Sequence, residues 1–210
     1  MDTMAFTEGL GMLSVRGACV AIAIDARRVL VVGGATPEGP LNTTEILDLE
    51  TLTFTAGPNM QSARLSCAVV ALDARRILVV GGFGRGGYLA TTEVLDLDTM
   101  AFTPGPTLLS ARRAISAVRL DAGRCLVVGG CDGEVGVEDK NLDTTEVLDI
   151  ATLTFTAGPV MGSVRNGCAA VPLDSMHILV VGGNAEDEDD EDGEKGLATT
   201  EVRPRLTKLI

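Results

Sequence analysis

Residues 64–111 read RLSCAVVALDARRILVVGGFGRGGYLATTEVLDLDTMAFTPGPTLLSA, and the landmarks of this stretch return along the chain in the same order. The landmarks are an Arg, a Gly-Gly pair, a Thr-Thr-Glu triplet and a Phe. Their base period is 48 residues, as between Arg64 and Arg112, and it lengthens where two loops are longer. A constant period of this size is typical of repeat architectures, in which each repeat is one supersecondary unit.

Four copies of the unit are present. The arginines are Arg16, Arg64, Arg112 and Arg165, and the phenylalanines are Phe6, Phe54, Phe102 and Phe155. Gly-Gly occurs at 33–34, 81–82, 129–130 and 182–183, and Thr-Thr-Glu at 43–45, 91–93, 144–146 and 199–201. We predict one domain over residues 1–210, with repeat units 16–63, 64–111, 112–164 and 165–203 and an N-terminal strand at 2–7.

Each unit is predicted to form four short strands, named a to d in chain order. In the second unit, strand a covers 67–72, and strand b covers 77–80 and is ended by Gly-Gly. Strand c covers 92–97, and strand d lies around Phe102. A Pro-Gly-Pro segment at 104–106 then interrupts the sheet before the next strand a, because Pro cannot donate to a β-ladder.

Strands a and b are apolar on both faces, so both of their faces must be covered. A parallel α/β sheet would cover them, but the connections are too short or too rich in Gly, Pro and Thr for the helices it requires. A β-solenoid usually has a shorter repeat. We therefore predict an all-β fold, a β-propeller of four four-stranded antiparallel blades, in which neighbouring blades cover each other.

The repeat resembles the kelch motif, on a strand ending in Gly-Gly, an acidic residue in strand c, an aromatic residue in strand d and an Arg before strand a. Two features differ from the family pattern. Leu replaces the usual Tyr of strand c at Leu47, Leu95 and Leu148, and Phe replaces the usual Trp of strand d at Phe54, Phe102 and Phe155. Kelch propellers usually have five to seven blades, whereas four are counted here.

The first and last segments of the sequence hold consecutive strands of the repeat. Residues 2–7 resemble a strand d, whereas the fourth unit ends with a strand c at 199–203. We predict that these two segments pair and close the propeller, which removes two exposed sheet edges. A fragment of a larger propeller is the alternative.

Meander geometry places the b–c loops and the d–a segments on one face. The a–b and c–d turns are nearly constant, whereas the b–c loops at 35–42, 83–90, 131–143 and 184–198 differ in length and sequence. Variable loops on a rigid scaffold are the usual place for binding. We therefore predict that this face binds a partner.

Features found once are better binding candidates than features repeated in every blade. Loop 83–90 contains Arg85 and Tyr88, and loop 184–198 contains an acidic run represented by Glu186, Asp187, Asp189 and Asp190. The run suits a partner with a basic segment, and a weak Ca²⁺ site is its less favoured interpretation. The four repeated arginines, Arg16, Arg64, Arg112 and Arg165, are interpreted as mainly structural. The kelch resemblance implies that side chains near the start of strand a line the channel mouth, so these arginines are also candidates for binding.

The net charge of −12 disfavours binding to nucleic acids and to anionic membranes, since no basic patch is present. Equivalent positions in three repeats hold Cys19, Cys67 and Cys168, which predicts small buried residues in a reducing compartment rather than a disulfide framework. No segment is apolar enough to span a membrane, so the sequence predicts a cytoplasmic protein.

The sequence favours a protein-binding scaffold without a cofactor or a bound metal. One His and one Tyr cannot supply a copper centre, a three-nitrogen zinc site or a catalytic triad. The alternative is a propeller enzyme that acts on a small sugar-like substrate at the central channel without a redox metal. Its expected mark is a polar residue found in only one strand a, and Ser116 and Arg119 are the only candidates.

Overall fold

The computed structural model describes residues 9, 11–133, 139–174, 177–185, 195–196 and 199–204, and every regular element in these ranges is a β-strand. These residues form the four blades of a β-propeller, as predicted. The same ranges contain no helix with the length and hydropathy needed to cross a membrane.

The strands of the first two blades follow the predicted order. The first blade consists of β1 (Val20–Ala23), β2 (Arg28–Val32), β3 (Ala35–Thr36), β4 (Gly39–Pro40), β5 (Thr44–Asp48) and β6 (Thr53–Ala56). The second blade consists of β7 (Ala68–Ala71), β8 (Arg76–Val80), β9 (Phe83–Gly84), β10 (Gly87–Tyr88), β11 (Thr92–Asp96) and β12 (Ala101–Pro104).

The third blade repeats this order, and the fourth lacks a strand d among the described residues. The third consists of β13 (Ser116–Arg119), β14 (Arg124–Val128), β15 (Cys131–Asp132), β16 (Lys140–Asn141), β17 (Thr145–Asp149) and β18 (Thr154–Ala157). The fourth consists of β19 (Ala169–Pro172), β20 (His177–Val181), β21 (Asn184–Ala185), β22 (Lys195–Gly196) and β23 (Thr200–Pro204).

Each blade is an antiparallel meander. Three sheets have four strands, in the orders β1-β2-β5-β6, β7-β8-β11-β12 and β13-β14-β17-β18, and the fourth has the order β19-β20-β23. The predicted partner of β23, at residues 2–7, lies outside the described residues, so the closure by this strand stays a prediction. Each b–c loop also contains one small hairpin with two residues in each strand, which was not predicted from the sequence.

The core lies between successive blades. One cluster joins Leu30 and Val32 of the first blade to Ile77 and Val79 of the second. Corresponding clusters join the second blade to the third and the third to the fourth. The apolar residues of strand b therefore alternate between the two neighbouring blades, which explains why both faces of this strand are apolar.

The Gly-Gly pairs connect neighbouring blades. Gly81 and Gly82 have φ values of +56° and +99°, which disfavour residues with a side chain. The amide of Gly82 donates to the carbonyl of Arg112 in the next blade at 2.9 Å. A Cβ on Gly81 would lie 2.6 Å from that same carbonyl oxygen, so only glycine allows this approach.

Candidate functional site

The loop face is the end of the propeller formed by the four b–c loops, 35–42, 83–90, 131–143 and 184–198. The small hairpins of these loops are attached to the d–a segments by single β-bridges, such as Leu65 with Phe83 and Arg113 with Cys131. The base of each loop is therefore fixed by backbone hydrogen bonds. In the second blade, this rigid base supports the exposed residues Arg85 and Gly86.

A buried Arg–Glu pair lies beneath each b–c loop. In the second blade, Arg64 donates from Nη1 to the carbonyls of Gly81 and Thr91 at 2.9 and 2.8 Å, and from Nη2 to Glu93 at 2.9 Å. The two carbonyls lie at the start and the end of the loop. The guanidinium therefore holds both ends of the loop together.

The glutamate of each pair holds the d–a segment that enters its blade. Glu93 accepts hydrogen bonds from the backbone amides of Gln61 and Ser62 at 2.7 and 2.9 Å. The arrangement recurs in the other three blades at Glu45, Glu146 and Glu201. Each carboxylate thus receives two amides and one guanidinium, which suits an ionised group in a buried place.

These contacts keep two of the carboxylates ionised. Burial alone would raise the pKa of Glu45, but hydrogen bonds from Ser14, the Leu13 amide and Arg16 outweigh it and hold the pKa below its ordinary value. For Glu201, burial is likewise outweighed, chiefly by the Gly162 amide and Arg165. Burial lowers the pKa of the Arg112 guanidinium, although Glu146 opposes this shift.

The four repeated arginines are inside the protein. Their residue exposures are 7% or less, and Arg64 and Arg165 are at 0%. Every ion pair they form among the described residues joins them to the glutamate of their own blade. This placement agrees with the structural interpretation of the arginines, and their contact with a partner stays a prediction.

A cluster of unrepeated side chains connects the loops of the second and third blades. Arg113 forms an ion pair with Asp139, and Tyr88 donates its hydroxyl hydrogen to the same carboxylate. The Arg113 guanidinium lies 5.6 Å from the ring centre of Phe83 and 5.7 Å from that of Tyr88, within cation–π range. The two rings meet edge to face with their centres 5.3 Å apart. We call these four residues the Arg113 cluster.

Tyr88, predicted as a binding residue, is therefore half-buried and part of this cluster. Its hydroxyl is already engaged with Asp139, and its contact with a partner stays a prediction. The cluster also fixes the relative position of loops 83–90 and 131–143. Its side chains remain partly accessible, with Arg113 at 32% and Asp139 at 27% exposure.

Arg85 occupies a different position. It is exposed at the tip of loop 83–90, and no ion pair joins it to another of the described residues. It borders a shallow cleft of about 510 Å³ between the loops of the first and second blades. The cleft is also lined by Pro40, Asn42, Gln61 and Leu89, and among the described residues that line it Arg85 alone carries a charge.

The acidic run at 186–192 lies outside the described residues, including its four candidate residues Glu186, Asp187, Asp189 and Asp190. The base of its loop is described, since β21 pairs with β22. Within the described ranges, no three His, Cys, Asp or Glu side chains lie together as a metal site would require.

The strand-a polar residues that would mark an enzyme make structural contacts. Arg119 donates to the backbone carbonyls of Ala71 and Leu72 in the preceding blade, and the hydroxyl of Ser116 accepts from the Ala170 amide in the following blade at 2.9 Å. All five cysteines are free. Burial raises the pKa of the Cys67 and Cys125 thiols to about 11, so these two are poor nucleophiles at neutral pH.

Sequence reasoning missed Arg113 and Asp139. The signal for Arg113 was present, because the equivalent positions of the other units hold Gly17, Leu65 and Asn166, as the four β-bridges show. Arg113 is thus unique to one blade, although its neighbour Arg112 belongs to the repeat. Asp139 lies in the longer loop of the third blade, where no repeat equivalence exists to indicate its contact.

Comparison with known proteins agrees with this architecture. The family model described as the Kelch motif matches residues 16–61 and 64–109, which are the first two repeat units. No curated protein matches the chain. The chain is therefore a β-propeller that contains kelch motifs, with four blades built on one repeat.

Proposed function

We propose that this kelch propeller is a protein-binding scaffold that holds its partner on the loop face. Kelch propellers commonly serve as protein-interaction scaffolds. The observation that carries the proposal is the contrast between the buried, repeated Arg–Glu pairs and the exposed, unrepeated Arg85 beside a cleft. A surface arginine bordering a largely uncharged cleft is a typical anchor for a protein partner.

The chemistry of the cleft indicates what part of a partner it accepts. Arg85 offers several N–H donors in a planar group, which suits a carboxylate or a pair of backbone carbonyls. Pro40 and Leu89 offer apolar surface nearby, and Asn42 offers an amide. A loop of the partner with one acidic side chain next to an apolar one would use all three features.

The acidic run extends the proposal to a second contact. Residues 186–192 contain seven consecutive acidic side chains, so they attract a basic segment of the partner. Exposed charges are screened over about 10 Å near 0.1 M salt, so this contact weakens as salt is added. Because the contact at Arg85 and the contact at the acidic run use different residues, a substitution can remove one contact and leave the other in place.

Site-specific photo-cross-linking tests which face binds. A photoreactive side chain at Gly86 stands beside Arg85, and a Cβ at this position meets no atom within 4 Å. The matched control is Gly123, an exposed residue in an a–b turn at the opposite end of the propeller. We expect covalent adducts with proteins of a cell extract from position 86 and none above background from position 123.

Two further variants assign the contacts. Arg85→Ala should reduce the adduct formed from position 86, and replacement of residues 186–192 by Ser and Gly should make the yield of this adduct less sensitive to salt. Adducts that form equally from positions 86 and 123 would contradict the proposal, as would a yield that neither variant changes.

A further inference from the structure

Every blade has two apolar faces, which lie on opposite sides of its sheet. The leading face points to the preceding blade and, in the second blade, includes Ile77, Val79 and Leu95. The trailing face points to the following blade and includes Leu78 and Val80. These two names are used below for the equivalent residues of every blade.

Three interfaces inside the chain join a trailing face to a leading face. At the last of them, Val118, Leu126 and Val147 of the third blade pack against Ile178 and Val180 of the fourth. The same kinds of aliphatic residues form the other two interfaces. The chain therefore contains three examples of one interface, each made from equivalent positions of the repeat.

The trailing face of the fourth blade is not covered in this way. Its residues Val171, Leu173, Val181 and Val202 are 43%, 53%, 40% and 54% exposed. The strand registers make them the equivalents of Val118, Leu120, Val128 and Val147, which are at most 7% exposed in the third blade. An apolar face that is buried between blades is thus accessible at this end of the chain.

The leading face of the first blade is also only partly covered. Leu47 and Phe54 are half-buried, whereas their equivalents in the second blade, Leu95 and Phe102, are buried. Leu49 is 44% exposed, and of the strand-b residues on this face only Val31 is buried. Among the described residues, the two end faces are therefore not packed against each other.

We propose that the trailing face of the fourth blade binds the leading face of the first blade of a second copy of the chain, head to tail. The occupant follows from the repeat. The leading face of the first blade has equivalents in the second, third and fourth blades, and each of these equivalents binds a trailing face within the chain. Such a contact is heterologous, so two copies close a ring if both ends meet, and more copies add if they do not.

Charge gives this association a distinct signature. The chain carries a net charge of −12, so copies repel each other at low ionic strength. Added salt screens this repulsion and leaves the apolar contact in place. Self-association should therefore become stronger with salt, in contrast to the loop-face contact with a basic segment.

Sedimentation of the full chain measures the association. We expect a concentration-dependent shift from monomer to dimer or larger species between about 1 and 200 µM, the range in which contacts of micromolar affinity form. Val202→Asp on the trailing face and Leu49→Asp on the leading face should each weaken association at least about tenfold. Leu109→Asp, at an exposed residue outside both end faces, is the matched control and should associate like the unchanged chain.

Mixing the two variants distinguishes the head-to-tail contact from any other. The Val202→Asp chain keeps an intact leading face and the Leu49→Asp chain an intact trailing face, so their mixture should form a one-to-one dimer that neither forms alone. Thermal unfolding of each variant checks that it is folded. An unchanged chain that stays monomeric to about 200 µM would overturn the proposal, and so would a mixture that remains monomeric. The end faces would then be covered by another protein or by the chain's own terminal segments.

Discussion

The four Arg–Glu pairs show why the same polar residues recur in a protein whose interior is otherwise apolar. Arg64 holds both ends of its b–c loop, and Glu93 holds the segment that enters the blade. Isolated buried charges are costly, but each of these is paired and hydrogen-bonded. The pair thus fixes the starting point of the loop and its exit in every blade.

Removing one member of a pair should lower the free energy of unfolding. We predict that Arg64→Met destabilises the protein by about 3–5 kcal/mol, because it leaves a buried carboxylate without its cation. Urea unfolding measures the change. The control is Arg75→Met, which removes an exposed ion pair with Asp98 and should change stability by less than about 1 kcal/mol. Similar losses for the two variants would contradict the structural role of the buried pair.

The carboxylates also make stability depend on pH. The pKa of Glu45 in the folded protein lies below the ordinary value of 4.5, so its contribution is present above that pH and is lost as the pH falls through the folded value. We predict that Glu45→Gln, which cannot titrate, reduces stability at pH 6 and makes the loss of stability between pH 6 and about pH 3 smaller. Urea unfolding across this range measures the two curves, and parallel curves would contradict the prediction.

For a single strand, the position of its blade in the chain decides how deeply its apolar residues are buried. Phe155 in β18 is 5% exposed and packs against the second blade, whereas the equivalent Phe54 in β6 is half-buried on an end face. The two residues share one sequence context, Thr-Phe-Thr-Ala-Gly-Pro. The difference between them therefore comes from the neighbouring blade and not from the strand.

We predict that Phe155→Ala destabilises the isolated chain by about 3–5 kcal/mol, as expected for a buried phenylalanine. Phe54→Ala should lower the free energy of unfolding by clearly less, because part of the Phe54 ring already contacts water. Urea unfolding at low protein concentration compares the two, since association of copies would bury Phe54. Equal losses at high dilution would mean that the first blade is covered within the chain.

The strands were predictable from sequence because their signals are local. Strand b was expected at 77–80 and forms Arg76–Val80, and strand c was expected at 92–97 and forms Thr92–Asp96. The Gly-Gly pairs and the repeated Phe set these limits. The two-residue hairpins in the b–c loops were missed, because a pair such as Phe83–Gly84 is too short for an alternation pattern.

The site was less predictable, since its contacts join residues distant in sequence. Arg85 was found because it is unique to one loop, and the structure places it at an exposed tip. Tyr88 was found on the same ground, but its partner Asp139 lies 51 residues further along the chain. A pattern within one repeat holds no information on contacts between loops of different blades.

At the scale of the whole molecule, repeated and unrepeated residues have different roles. The repeated Gly-Gly pairs, Arg–Glu pairs and apolar strands build and connect the blades. Two sets of unrepeated residues lie on the loop face, where Arg85 borders the cleft and the Arg113 cluster joins two loops. We therefore propose that all blades share one scaffold, and that partner binding depends on the residues that differ between the loops.

Exchange of one loop tip for another tests whether partner binding depends on the loops. The tips of the first two loops, Thr36-Pro-Glu-Gly39 and Gly84-Arg-Gly-Gly87, occupy equivalent hairpins, so Arg85→Pro with Gly86→Glu gives the second loop the tip of the first. The measurement is the affinity for the protein cross-linked from the loop face, with Arg75→Glu at the opposite end as the control. We predict an unchanged melting temperature and, for the tip exchange alone, an affinity about tenfold lower, a loss of about 1.4 kcal/mol. Retained affinity in the tip exchange, or an equal loss in the control, would contradict it.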